Sequence, residues 1–115
     1  MIKIKRIYEN PEKNDGFRIL VDRLWSRGST KEKAKIGLWM KEIAPSTELR
    51  KWVSHDIGKW KEFQKKYEQE LKDKKELVKK LKQLEKAHGA ITLIFSAKDE
   101  KHNNAVVLSR YIKSV

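Results

Sequence analysis

Two polar stretches follow directly on apolar runs, and both carry residues able to bind an anion or move a proton. The first is Asp22-Arg23-Leu24-Trp25-Ser26-Arg27-Gly28, after Phe17–Val21. The second is Ser96-Ala97-Lys98-Asp99-Glu100-Lys101-His102-Asn103, after Ile91–Phe95. Open parallel sheets bind their ligands beyond the carboxyl ends of the strands. If the two runs are parallel strands, Asp22, Arg23, Lys98, Asp99 and His102 converge on one rim.

Each residue admits two readings. Asp22 and Arg23 suit a carboxylate base beside an anion clamp, and equally a structural salt bridge at the sheet edge. Arg27, before Gly28, suits a phosphate contact if a helix started by Ser29 points its free amides at the same place; otherwise it is a solvated loop arginine. Lys98 beside Asp99 is an activated amine, a phosphate contact or a surface pair. Asp99 is most simply a helix cap. His102 falls near the start of the last expected helix, where the dipole favours a neutral imidazole suited to general-base work. A hydrogen-bonded structural histidine is the alternative. His55-Asp56 looks like an orienting pair, but sequence neighbours seldom face each other, and capping explains Asp56 better.

Of the four tryptophans, Trp39, Trp52 and Trp60 read as core, whereas Trp25 lies in a polar exit loop. The candidates for proton transfer are therefore Asp22, Asp99 and His102. Those for ligand binding are Arg23, Trp25, Arg27, Arg50, Lys98 and Asn103. Without cysteine, thiolate chemistry and cysteine-based zinc sites are excluded, and His55, His88 and His102 are too scattered to suggest a metal. No phosphate-binding glycine loop, dinucleotide fingerprint, nucleophile elbow or helix-turn-helix pattern occurs, so no cofactor is expected.

The elements that must position these residues can be read from periodicity. Strands are expected at 2–8, 17–22, 37–41 and 91–96, the second and last apolar enough to be covered on both faces. Ser29 with Glu32 suggests a capping box for a short helix from about Thr30 to Lys35. Ser46 is a plausible cap for a helix over 47–54, and Asp56 for the next. Trp60, Phe63, Tyr67 and Leu71, then Val78, Leu81 and Leu84, recur at helical spacing. An unbroken helix over 57–88 would be about 48 Å long, too long for so small a chain, so a break is expected near 72–75. Gly89 closes this Lys-rich helical pair. A last helix, started by Asp99 or the residues just after it, buries Ala105, Leu108 and Ile112. The predicted fold is α/β, a small, mainly parallel sheet of about four strands covered by helices. The connection 9–16 is shorter than a parallel crossover normally needs, so the first two strands should be antiparallel or non-adjacent.

A chain of 115 residues bounds this to one domain, and 38% apolar residues imply a small core that ten aromatic residues enlarge. The formal charge of +12 raises the possibility of a polyanion partner, nucleic acid included. Only six of the 28 basic residues are arginine, however, and lysine equally suits a solvated surface. No signal peptide or apolar run of about 20 residues appears, so no membrane role is expected and the cytoplasm is the default location.

Three blocks carry a family likeness: Phe17–Gly28, Leu38–Trp52, and Ala97-Lys98-Asp99 with His102-Asn103. Together they resemble the YeaO-like branch of domain-of-unknown-function family 488, over nearly the whole chain and in order. The resemblance implies a compact α/β fold with the Asp22-Arg23 and Ala97-Lys98-Asp99 exits brought together. It implies no reaction. Ser26 stands where the family pattern has proline, and any thiol chemistry of wider relatives does not transfer to a chain without cysteine. The leading expectation is a pocket for a small phosphate-bearing or other anionic ligand, with turnover left open. The alternatives are a nucleic-acid-binding accessory protein using the Lys-rich helices, and a protein-interaction scaffold. Oligomeric state is left open.

Overall fold

A computed structural model describes residues 1–54 and 56–115. The apolar run Ile91–Phe95 is its central strand. Among the described residues four strands form one sheet: β1 (Ile2–Arg6), β2 (Phe17–Leu20), β3 (Leu38–Trp39) and β4 (Ile91–Phe95). Their order is β1-β4-β2-β3 and every pairing is parallel. β4 therefore separates β1 from β2, which resolves the short connection between them: the two strands are non-adjacent. β3 is shorter than the expected 37–41, though the Gly37 amide still bonds Arg18 O and the Met40 amide Leu20 O.

Strand alternation sorts the side chains onto two unlike faces. Ile2, Ile19, Val21, Ile91, Leu93 and Phe95 face the larger core, where Phe63, Tyr67, Leu71, Leu81, Leu108 and Ile112 meet them from the helices. These come from α3 (Trp60–Lys72), α4 (Lys75–His88) and α5 (Asn104–Ser114). The opposite face is thinner. Ile7, Leu20 and Ile94 pack there with Ala34 and Ile36, with Trp25 and Trp39 at the edge. Ala34 ends the one-turn helix α1 (Lys31–Ala34).

The helical stripe breaks within the expected 72–75, at Asp73-Lys74. The longest dimension of the molecule is 36 Å, so a continuous rod over 57–88 would have protruded. Gly89 stops α4 at φ +79°. Ser46 caps α2 (Thr47–Val53) by accepting the Leu49 amide, as its type and place suggested. β1, β2 and β4 also end short of the expected 8, 22 and 96, and two helix caps differ from the sequence reading. Thr30, not Ser29, caps α1, because its hydroxyl is the one that reaches the Lys33 amide at 3.1 Å. Asn103, not Asp99, caps α5, by accepting the Val106 amide at 3.1 Å. No helix among the described residues is long and apolar enough to cross a membrane.

The thin face carries a buried ionic cluster beneath the connection from β1 to β2. Arg18 lies in the middle of β2 yet is buried, and its Nη1 donates to Asp15 Oδ2 at 2.6 Å. Lys5 on β1 donates to Asp15 Oδ1 at 3.0 Å and to Glu12 Oε1 at 2.6 Å. The Glu12 amide and the Thr92 hydroxyl complete the cluster. Gly16 lets the chain turn back into β2 at φ +67°; a Cβ there would sit 2.1 Å from Ala90 O. Burial pushes the Asp15 carboxyl up, but the Glu12 amide, Lys5 and Arg18 outweigh it and hold the group below the usual carboxylate value.

Asp15→Ala leaves the buried Arg18 without a carboxylate partner and Lys5 with Glu12 alone, and should lower unfolding free energy by about 3–5 kcal/mol in urea titrations. Because the Asp15 pKa is lowered in the folded state, its stabilisation is present at neutral pH and fades as pH falls below about 4. The variant should lose that part of the acid-side slope. An unchanged midpoint would show that the cluster holds nothing.

Candidate functional site

The candidate site is a cleft of about 840 Å³ at the carboxyl ends of the strands. It is closed first by Asp22, where β2 ends. The Ser96 amide and hydroxyl donate to Asp22 Oδ2 at 2.9 and 2.8 Å, and Asn104 Nδ2 donates to Oδ1 at 3.2 Å. The same Asn104 group also bonds Val21 O at 3.0 Å. The exits of β2 and β4 and the first turn of α5 are thus one bonded unit. The two loops that the sequence singled out share a wall.

Arg23 faces the other way. Its Nε donates to Pro45 O and its Nη2 to Ala44 O, both at 3.1 Å. Asp22 and Arg23 therefore do not form the sheet-edge pair that was one of their two readings. Lys74 Nζ reaches the same Ala44 O at 3.0 Å. Glu70 accepts the Ser46 amide at 2.8 Å and the Ser46 hydroxyl at 2.6 Å. These contacts fix the entry to α2, whose Thr47, Arg50, Lys51 and Val53 then line the cleft.

The remaining candidates are distributed unevenly. Trp25 donates to Ser29 O at 2.8 Å and meets Trp39 edge-on at 5.2 Å, so its ring closes the thin core while bordering the cleft. Arg27 is exposed in the cleft wall. The expected aid from a helix dipole is absent there, since α1 is a single turn of four residues. Asp99 accepts the Lys101 and His102 amides through Oδ1 and pairs with His102 Nδ1 through Oδ2 at 2.9 Å. His102 in turn meets Trp60 edge-on at 5.1 Å. Asn103 is buried, with its amide engaged on Val106 N and Asp99 O. Lys98 is exposed and does not line the cleft, although Ala97 and Asp99 on either side of it do. Asp56 caps a single 3-10 turn over 57–59, the role the sequence favoured for it; the alternative pairing with His55 lies outside the described residues. Among the described residues no group of three or more histidines and carboxylates is placed to hold a metal.

The sequence matches the family described as the inactive DUF488-N3 subclade over residues 1–115. The chain belongs to the DUF488 family. It is similar to the uncharacterized protein YeaO of Escherichia coli K12, 40% identical over 114 residues that cover 99% of this chain and 98% of that one. The uncharacterized proteins Rv3073c of Mycobacterium tuberculosis H37Rv and Mb3100c of Mycobacterium bovis are each 34% identical, over 96% of this chain and 92% of theirs. No solved structure matches.

In this DUF488 chain the two carboxylates near the cleft floor are driven in opposite directions. Burial raises the Asp22 pKa above the usual carboxylate value, against its bonds from Ser96 and Asn104 and the field of Arg50. Asp99 is lowered, by the Lys101 amide first and then by His102. Ser26 adds a third feature: it lies in the cleft lining, and its buried hydroxyl has no hydrogen-bond partner among the described residues. Sequence reasoning noted Ser26 only as a departure from the family pattern, and did not single out Lys51, Asn104 or Glu70. Lys51 was findable, because Thr47, Arg50 and Lys51 are spaced i, i+3, i+4 on one helix face. Glu70 was not, being one acid among many charges on a solvated-looking helix.

Carbon-13 NMR titration should place the Asp22 carboxyl above about 3.9, the ordinary aspartate value, and Asp99 below it. Arg50→Ala removes a lowering influence, so it should raise the Asp22 value further. No change in that variant would mean that Arg50 does not act on Asp22.

Proposed function

We propose that the cleft binds a small anionic ligand, phosphate-bearing or carboxylate, and holds it without turnover. The carrying observation is an imbalance between occupied acceptors and unoccupied donors. Three carboxylates line the cleft, and each is engaged: Asp22 by Ser96 and Asn104, Asp56 by the Gly58 amide, Asp99 by two amides and His102. Arg27, Arg50 and Lys51 line it too, are exposed, and have no side-chain hydrogen bond or ion pair among the described residues. Charge-assisted bonds to an incoming oxyanion are the strong interaction still on offer.

The proton-transfer reading of Asp22 and Asp99 has less support, since the oxygens of both hold the loops together. His102 keeps one ring nitrogen beyond its bond to Asp99, which suits a hydrogen-bond donor to an anion as well as a base. The family's description as an inactive subclade favours binding over turnover. Arg23 belongs to the frame rather than to the anion, and Lys98 is left out.

The competing nucleic-acid surface on α3 and α4 has weaker footing, because the fold uses several of its lysines. Lys59 and Lys66 each lie 5.0 Å from the Trp52 ring, Lys74 holds Ala44 O, and Lys82 holds the chain end at Val115.

Isothermal titration with pyrophosphate at low salt tests the reading. Arg50→Ala and Arg27→Ala should each weaken binding about tenfold. Both sites are exposed, so melting temperatures should stay within about the equivalent of 0.5 kcal/mol. Lys98→Ala should bind like the parent. Absence of binding to the parent protein, or equal affinity in all variants, would overturn the proposal.

A further inference from the structure

The cleft is far larger than a lone tetrahedral anion needs, and its volume of about 840 Å³ lies in the range of sites for whole organic ligands. Its apolar side is also unusually exposed. Among the described residues five large apolar side chains are exposed: Met1, Tyr8, Leu24, Ile57 and Val115. Two of these are chain ends, and the other three all line this cleft. Leu24 and Ile57 are each 61% exposed, from two different loops. Exposed apolar area gathered at one concave place marks a binding surface.

Behind those lips the wall is aromatic and fixed. Trp60 stacks on Phe63 with centroids 5.7 Å apart at 21°. The His102 ring meets Trp60 at 87°, and Asp99 holds that histidine in turn. Phe63 is buried in the core while Trp60 keeps part of its surface in the cleft. The cationic and apolar walls are close neighbours. Arg50 and Val53 are three residues apart on α2, which sets their Cβ atoms about 5–6 Å apart.

We infer that the cleft takes an aryl-type organic anion, with its acid group at Arg50 and its flat apolar body against Trp60 and Ile57. This rests on the anion-binding reading and narrows it. Arg50 and Val53 set a cationic group beside an apolar one in the same wall, which suits a ligand that carries an acid group and an apolar body together.

Calorimetric titrations with inorganic phosphate, phenyl phosphate and 1-naphthyl phosphate separate the two levels. Affinity should rise along that series, by about tenfold for each added ring. Ile57→Asn changes an exposed lip and should leave the fold intact. It should weaken 1-naphthyl phosphate several-fold and leave inorganic phosphate unaffected. Trp60→Leu should do the same more strongly, and Ile57→Asn keeps the test open should that variant unfold. Arg50→Ala should weaken all three probes. Equal affinity across the series, with Arg50→Ala still damaging, overturns the aryl inference and leaves anion binding standing. A rising series untouched by Ile57→Asn also overturns it, by placing the ring elsewhere. Failure of every probe, or indifference to Arg50→Ala, brings down the anion reading itself.

Discussion

Asp22 is largely buried at the end of β2, and every side-chain hydrogen bond it accepts comes from another segment. A carboxylate suits that position because all its lone pairs accept, and the groups around it, Ser96 N–H, Ser96 O–H and Asn104 NH₂, can all donate. An asparagine there would set one NH₂ against another. The cost of burying the charge appears as a raised pKa, and the return is that two strand exits and a helix start move as one body. Without this joint the cleft would have a hinge through its floor.

The opposite wall depends on a second set of bonds with the same logic. The chain at 43–45 is buried and carries carbonyls that no strand or helix satisfies, and such groups must find partners. Arg23 and Lys74 take Ala44 O, Arg23 takes Pro45 O, and the Tyr67 hydroxyl takes Ile43 O at 2.7 Å. Three of these donors come from long side chains, two of them on or beside the Lys-rich helices. Part of what looks in the sequence like a charged, solvated face is thus the scaffold of α2. The positive charge of the cleft and the positive charge of the helices have different origins.

The sequence made the architecture legible where one period dominated a segment. Ile91–Phe95 read as a buried strand, Ser46 and Gly89 marked true helix ends, and the short 9–16 connection ruled out a parallel pairing of β1 with β2, of whose two alternatives the fold takes the non-adjacent one. What stayed hidden was set by contacts between distant residues. Arg18 sits inside an apolar run because Asp15 and the Ala34 carbonyl meet it there, and nothing local to β2 announces that. The choice of Thr30 over Ser29 and of Asn103 over Asp99 turned on one residue of backbone geometry. For the site, the two exit loops were recognisable as a pair, but which of their side chains face the cleft was not. Lys98 and Asp99 are neighbours, and only Asp99 lines it.

Net charge explains little of what the cleft would select. The formal charge of +12 belongs to the chain as a whole, and such long-range charge is screened within about 8–10 Å at ordinary ionic strength. Selection at short range depends instead on which groups still lack partners. Asp22, Asp56 and Asp99 face donors from their own chain, so an incoming cation would compete with bonds already formed. The guanidiniums of Arg27 and Arg50 face solvent, so an incoming anion displaces only water. The apolar residues at the mouth act in the same direction, because covering Leu24 and Ile57 removes surface that water solvates poorly, at about 25 cal/mol per Å². On the proposed reading, anion and apolar body would be favoured by separate terms on adjacent walls, and a ligand that presents only one of them would leave the other wall wet.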